Sequence, residues 1–233
     1  SLNLLPEKPL MGRFADSRVG YFTEEFLDAG RNENRVSEVS YITRYRLEKK
    51  DPTAAISEPV KPIIYYISRE TPEEYRSYIK QAVEDWQPAF EAAGFKNAII
   101  CKNAPTEKED PTWDPEDSRY SVIRWAPIPI ENAMGPHVHD PRSGEILSAH
   151  IIVWHDILRL NEQWYFSQVG PLDKRAQKFP FPLELTGELL RYVVCHEVGH
   201  TLGLRHNHKA SSSFTVAQLR NKAFTEKWGD EAS

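Results

Sequence analysis

The stretch His196-Glu197-Val198-Gly199-His200-Thr201-Leu202-Gly203-Leu204-Arg205-His206 decides how the rest of the chain is read. On a helix, residues four apart lie on one face a turn apart, so His196 and His200 bring two imidazoles to one point, a zinc-ligand spacing. Glu197, beside the first histidine, is placed to reach a water in an open metal position without binding the metal itself. A third ligand needs a change of direction. Continued as helix, the chain would carry His206 about 9 Å further along the axis than His200, far beyond a Zn–N bond of roughly 2 Å. Gly203 resolves this by adopting the left-handed conformation that ends a helix and turns the chain back. The expected ligands of one catalytic Zn²⁺ are therefore His196, His200 and His206, although imidazole also suits other first-row ions. The bland alternative is an amphipathic helix with surface histidines and an ordinary terminal glycine, and it leaves the joint spacing of these residues unexplained. His208 falls outside the spacing and reads as exposed or supporting. Cys195, next to the first ligand, reads as a small side chain on the core face of the helix.

The pattern HExxHxxGxxH resembles that of the metzincin metallopeptidases. The longer run through Asn207 and on to Lys209-Ala210-Ser211 is similar to the bacterial zinc-dependent metallopeptidases called met-zincins, with weaker likeness over residues 135–152 and 44–52. The resemblance implies an α+β fold: a mixed twisted sheet with an antiparallel edge strand, a long backing helix and an active-site helix. It implies a catalytic domain over residues 61–233, preceded by an extension or linker over residues 1–60. The strand at residues 146–154 would then be the antiparallel edge beside the cleft. Such an edge offers unpaired N–H and C=O groups to an extended peptide, with substrate contacts near Leu147, Ser148 and Ala149. Export to the periplasm, the cell envelope or the medium is implied on the same ground. Metzincins also carry a methionine turn downstream of the third histidine. Here the methionines are Met11 and Met134, both upstream, so the catalytic domain reads as incomplete at its C-terminal end. Some metzincins hold a structural zinc with a His/Asp set, which draws attention to His137, His139, Asp140, His150 and His155. His150 and His155 are five apart and would point to opposite faces of a regular strand, so a second metal is not expected.

Composition narrows the function classes. The formal net charge is −5, from 34 acidic and 29 basic residues, and no basic run is sustained, which disfavours nucleic-acid binding. No apolar stretch approaches membrane-spanning length. Cys101 and Cys195 do not make a disulfide framework. Oligomeric state is not legible.

Taken in order, the first sixty residues are polar and punctuated, with a possible short strand over residues 18–23 and an alternating strand over residues 39–47. Ile63 to Ile67 is an apolar strand. Thr71-Pro72-Glu73-Glu74 announces a helix with Thr71 as N-cap and Glu74 closing a capping box. Tyr75, Tyr78, Ile79, Ala82, Val83, Trp86 and Phe90 continue it at helical spacing to Gly94, with a kink at Pro88. Strands follow at residues 98–101, 120–125 and 146–154, the first two separated by a long acidic loop. Thr186 is the expected cap of the active-site helix, and residues 216–224 suggest a further helix.

These readings imply a metallopeptidase that hydrolyses peptide bonds with a zinc-activated water, Glu197 serving as general base and then acid. Two rivals stand beside it: a zinc-stabilised module that binds peptides or proteins without turnover, and a zinc hydrolase of a non-peptide amide or ester.

Overall fold

The computed structural model describes residues 3–30 and 34–228. Strands β1 (Thr23–Asp28) and β2 (Ser37–Ile42) form an antiparallel pair. A six-stranded sheet follows, made of β3 (Ile63–Ile67), β4 (Ile99–Asn103), β5 (Ser121–Ala126), β6 (Ala133–Met134), β7 (His137–Asp140) and β8 (Glu145–Trp154). Its order is β4-β3-β5-β8-β6, with β7 also on β8. The pairs among β4, β3, β5 and β8 are parallel, whereas β6 and β7 run antiparallel to β8. The mixed sheet with an antiparallel edge is thus present, but residues 146–154 are not that edge. Residues 132–140 straighten along the outer side of β8, with His150 N–H donating to the Pro136 carbonyl at 3.0 Å and Trp154 N–H to that of Asn132 at 3.3 Å. The prolines and histidines of that stretch give no alternating apolar pattern, so its strand character comes from pairing rather than propensity.

Helix α1 (Glu73–Glu84) starts after Pro72, which takes the capping position assigned to Thr71; the Thr71 hydroxyl instead meets Ser68 Oγ at 3.3 Å. The single helix expected to reach Gly94 breaks at Asp85–Trp86. A short α2 (Gln87–Ala92) carries Pro88 in its first turn, where the missing N–H is unused anyway, so a fresh start replaces the expected kink. Helix α3 (Ile157–Val169) has no counterpart in the sequence reading; of its residues only Ile157 is buried, so no apolar stripe marks it. Helix α4 (Leu183–Thr201) begins after Pro182, three residues ahead of Thr186, which is buried within its first turns rather than capping it. The last expected helix is two short ones, α5 (Val216–Leu219) and α6 (Lys222–Trp228).

Helices α1 and α4 pack side by side and face the sheet, α1 toward β3 and β4 and α4 toward β6 and β8. The core between them holds Tyr65, Ile67, Ile123, Ile151 and Val153 from the strands, Ile79 and Val83 from α1, and Leu190, Val194 and Val198 from α4. Polar contacts pin the two helices together: Arg191 grips Asp85 through two bonds of 2.7 and 2.6 Å, and Trp86 Nε1 donates to the Cys195 carbonyl at 3.0 Å. The other sheet face is covered near Trp113, Ala104 and Val122 by the acidic loop, which Arg69 ties down through the carbonyls of Pro105 and Asp110.

The strand expected over residues 39–47 leaves its pairing after Ile42. Arg44 turns to the sheet instead, its N–H donating to the Gly144 carbonyl and its own carbonyl accepting from Ile146, both at 2.9 Å. Arg46 then grips the buried Glu145 carboxylate at 2.8 and 2.6 Å. The early segment is therefore bonded directly to the start of β8.

Ile151 is fully buried at the centre of β8. Ile151→Ala is expected to cost about 2–5 kcal/mol of stability, read as a lower urea midpoint with an unchanged slope.

Candidate metal centre

The spacing in α4 sets His196 and His200 edge to face with ring centroids 4.6 Å apart. The helix then closes in a Schellman arrangement: Gly203 N–H donates to the His200 carbonyl at 3.0 Å, and Leu204 N–H to that of Gly199 at 3.1 Å. Gly203 sits at φ +100°, and a Cβ there would collide with the Thr43 carbonyl oxygen. Both the conformation and the close approach require glycine. The turn brings His206 Nε2 back to 3.1 Å from the Nε2 atoms of both His196 and His200. Within 4.8 Å of one another, these ligand atoms form the set of three that could hold a metal ion among the described residues.

The donor chemistry fits a metal. His200 Nδ1 lies 2.8 Å from the Leu204 carbonyl oxygen. That acceptor requires the proton on Nδ1 and so leaves the Nε2 lone pair free for a cation. Partial desolvation, followed by the neighbouring His200 and His206, holds His196 below the ordinary histidine range and in the neutral form that ligates. Without a cation, three Nε2 atoms would meet with too few protons to bond one another. His196 and His206 are exposed to solvent, so the face away from α4 is accessible.

Glu197 is buried at 7% exposure. Burial raises its pKa, opposed by the nearby His200 and then by the Gly135 backbone. Gly135 approaches so closely that a Cβ would stand 2.5 Å from the Glu197 carbonyl oxygen. This contact was not legible locally, since Gly135-Pro136 signals only an unusual turn. Phe22 and Thr43 are further supports without a local signal. The Phe22 ring lies 5.8 Å from His200 and 5.7 Å from His137.

His208 stays outside the cluster, its ring edge-on to His206 at 5.9 Å. Other sequence candidates have separate partners. Asp140 is a buried carboxylate held by Arg142 at 2.7 Å, which keeps its pKa low. His139 Nε2 meets Glu24 at 2.9 Å. His137 is pushed down to about 4 by burial and then by His139, opposed by the His200 backbone. His155 packs edge-on against Trp125 at 5.6 Å. Leu147, Ser148 and Ala149 lie on interior strand β8. His137 stands opposite Ala149 and Val138 opposite Ser148, Ala149 N–H donates to Ser121 Oγ at 3.0 Å, and Ser148 and Ala149 are fully buried. The backbones of Ser148 and Ala149 offer no open edge, because β7 is paired with them, while Leu147 falls at the bulge in that pairing.

Residues 178–233 match the Met-zincin family model. The matched segment contains all of α4, the Schellman turn and all three converging histidines. Residues 1–50 match a separate model, described as a domain of unknown function, DUF5117. No curated protein and no solved structure matches the chain. No helix among the described residues is long and apolar enough to cross a membrane.

Elemental analysis of the purified protein is expected to find about one zinc per chain. His206→Ala and Gly203→Ala should each weaken binding by about 10–100-fold in chelator competition, the first by removing a ligand and the second by closing the turn to it. His208→Ala should leave affinity unchanged.

Proposed function

We propose that this protein is a zinc-dependent metallopeptidase. The observation that carries the reading is the convergence of three imidazole Nε2 atoms beside a buried, non-ligating carboxylate at the end of one helix. A purely structural zinc would normally close its fourth position with a protein ligand and has no need of Glu197. Bound zinc supplies Lewis acidity, acidifying a water toward pKa ~7 and polarising the carbonyl under attack.

The chain's own residues do the rest. His196, His200 and His206 bring no charge, so the cation keeps its full double charge. The Leu204 carbonyl fixes the tautomer and ring orientation of His200. Glu197 takes the proton from the attacking water and passes it to the departing amine. Its burial favours the protonated form it holds between these two transfers.

The open strand edge beside Glu197 suits an extended peptide. The outer side of β6 and β7 has no strand partner among the described residues, and Gly135, which touches Glu197, lies between them. Substrate backbone would therefore add along residues 134–138, in place of Leu147, Ser148 and Ala149 on the neighbouring strand. The family resemblance supports work outside the cytoplasm.

Glu197→Gln is expected to retain zinc and to lower peptide hydrolysis by about 10²–10⁴-fold, measured with a quenched-fluorescent peptide library. Full activity in that variant would sink the mechanism. Zinc and peptide binding without turnover in the unmodified protein would favour a binding module, and turnover confined to non-peptide esters or amides would favour another zinc hydrolase.

A further inference from the structure

His206 differs from the other two imidazoles in what holds it. His196 and His200 stand on a helix of 19 residues, whereas His206 lies between the turn and a short 3₁₀ helix, His208–Ser212. Its position has to come from elsewhere, and the contacts show where. Tyr21 and Leu204 form an isolated antiparallel bridge. Phe22 N–H donates to the Gly203 carbonyl at 2.8 Å, and Arg205 N–H donates to the Gly20 carbonyl at 2.9 Å. These two bonds flank the bridge and hold residues 203–205 straight immediately before His206.

The bracing segment is itself anchored. The Phe22 carbonyl accepts from Thr43 N–H at 2.8 Å and from Thr43 Oγ1 at 3.3 Å. Thr43 is fully buried, and its own carbonyl lies against Gly203. From Thr43 the chain passes to Arg44 and Arg46, which are bonded to the start of β8. The Leu204 carbonyl that orients His200 belongs to the same braced stretch. One short segment therefore bears on two of the three imidazoles, on His206 through its backbone and on His200 through both Leu204 and the Phe22 ring.

We propose that Gly20–Phe22 is a positioning strand for the metal centre, setting the His206 arm and so making residues 1–50 part of the zinc-binding unit. This rests on the zinc reading above. The segment touches no reacting atom. Its contribution is pre-organisation: without it, residues 203–206 would have to be ordered when the ion binds, at a cost in affinity.

The test uses the full chain with Phe22→Pro and Phe22→Ala. Proline deletes the N–H that bonds Gly203 while alanine keeps it, and both lose the ring. Two quantities are read: hydrogen exchange of residues 203–206 in metal-free protein, and zinc affinity by chelator competition. The Phe22→Pro variant should exchange faster at residues 203–206 than Phe22→Ala and bind zinc about 10–100-fold more weakly than it. Equal exchange and equal affinity in the two variants would overturn the proposal. Thr43→Val, which removes only the hydroxyl bond to the Phe22 carbonyl, should shift both readouts in the same direction by less, and it decides the matter if the proline variant does not fold. Ile151→Ala controls for general destabilisation and should leave zinc affinity unchanged. If the unmodified protein binds no zinc, the zinc reading falls and the proposal with it, while the exchange comparison still reports whether residues 20–22 hold the loop.

Discussion

The turn at Gly203 is the constraint on which the site depends. A straight helix can align two imidazoles but cannot return a third, so the chain must reverse within a few residues of His200. The Schellman closure does this while satisfying the carbonyls of Gly199 and His200. It needs positive φ, and the Thr43 carbonyl leaves no room for a Cβ. The same turn aims the Leu204 carbonyl at His200 Nδ1. Metal geometry, ligand tautomer and contact with the early part of the chain are thus settled together by one backbone reversal.

A second constraint comes from the sheet. Glu197 is nearly buried, and a buried carboxylate without donors is costly. Gly135, between β6 and β7, approaches the Glu197 backbone so closely that a Cβ would collide with its carbonyl oxygen. That approach places the antiparallel edge next to Glu197. The lengthwise pairing of residues 132–140 along β8 buries Ser148 and Ala149 and leaves β6 and β7 outermost. Edge and helix are neighbours because Gly135 carries no side chain, which lets its backbone pack against the Glu197 carbonyl and Thr201.

The three converging histidines were legible because they lie within one helix and its exit, where spacing maps directly onto geometry. The strand at Ile63–Ile67 and helix α1 were legible for a similar reason, the first as a continuous apolar run and the second through its helical spacing. What escaped was determined by distant partners. Thr71 and Thr186 are good capping residues, yet proline occupies the capping position of both helices. Helix α3 buries so little that its pattern carries almost no information. Strand β7 forms from a histidine-rich stretch because β8 offers it a partner. The supports of the metal centre, Phe22 and Thr43, are separated from Gly203 by most of the chain, and nothing local in Tyr21-Phe22-Thr23 announces that its backbone will pair with Leu204.

That separation has a thermodynamic consequence. Two regions that match different family models, residues 1–50 and residues 178–233, share backbone hydrogen bonds at the metal centre. Any stabilisation that segment 20–22 gives to the zinc-binding conformation must be returned in equal measure, because coupling free energies are reciprocal. Zinc would then protect the pairing of Gly20–Phe22 with residues 203–205 by the same factor by which that pairing strengthens zinc. The early segment also runs through Arg44 and Arg46 to the start of β8, whose middle residues carry the antiparallel edge. A cation bound at the end of α4 would therefore stabilise the contacts that residues 20–22 and Thr43 make with the turn. Metal loading and that pairing would then be a single equilibrium, with Gly203 at the point where the two meet.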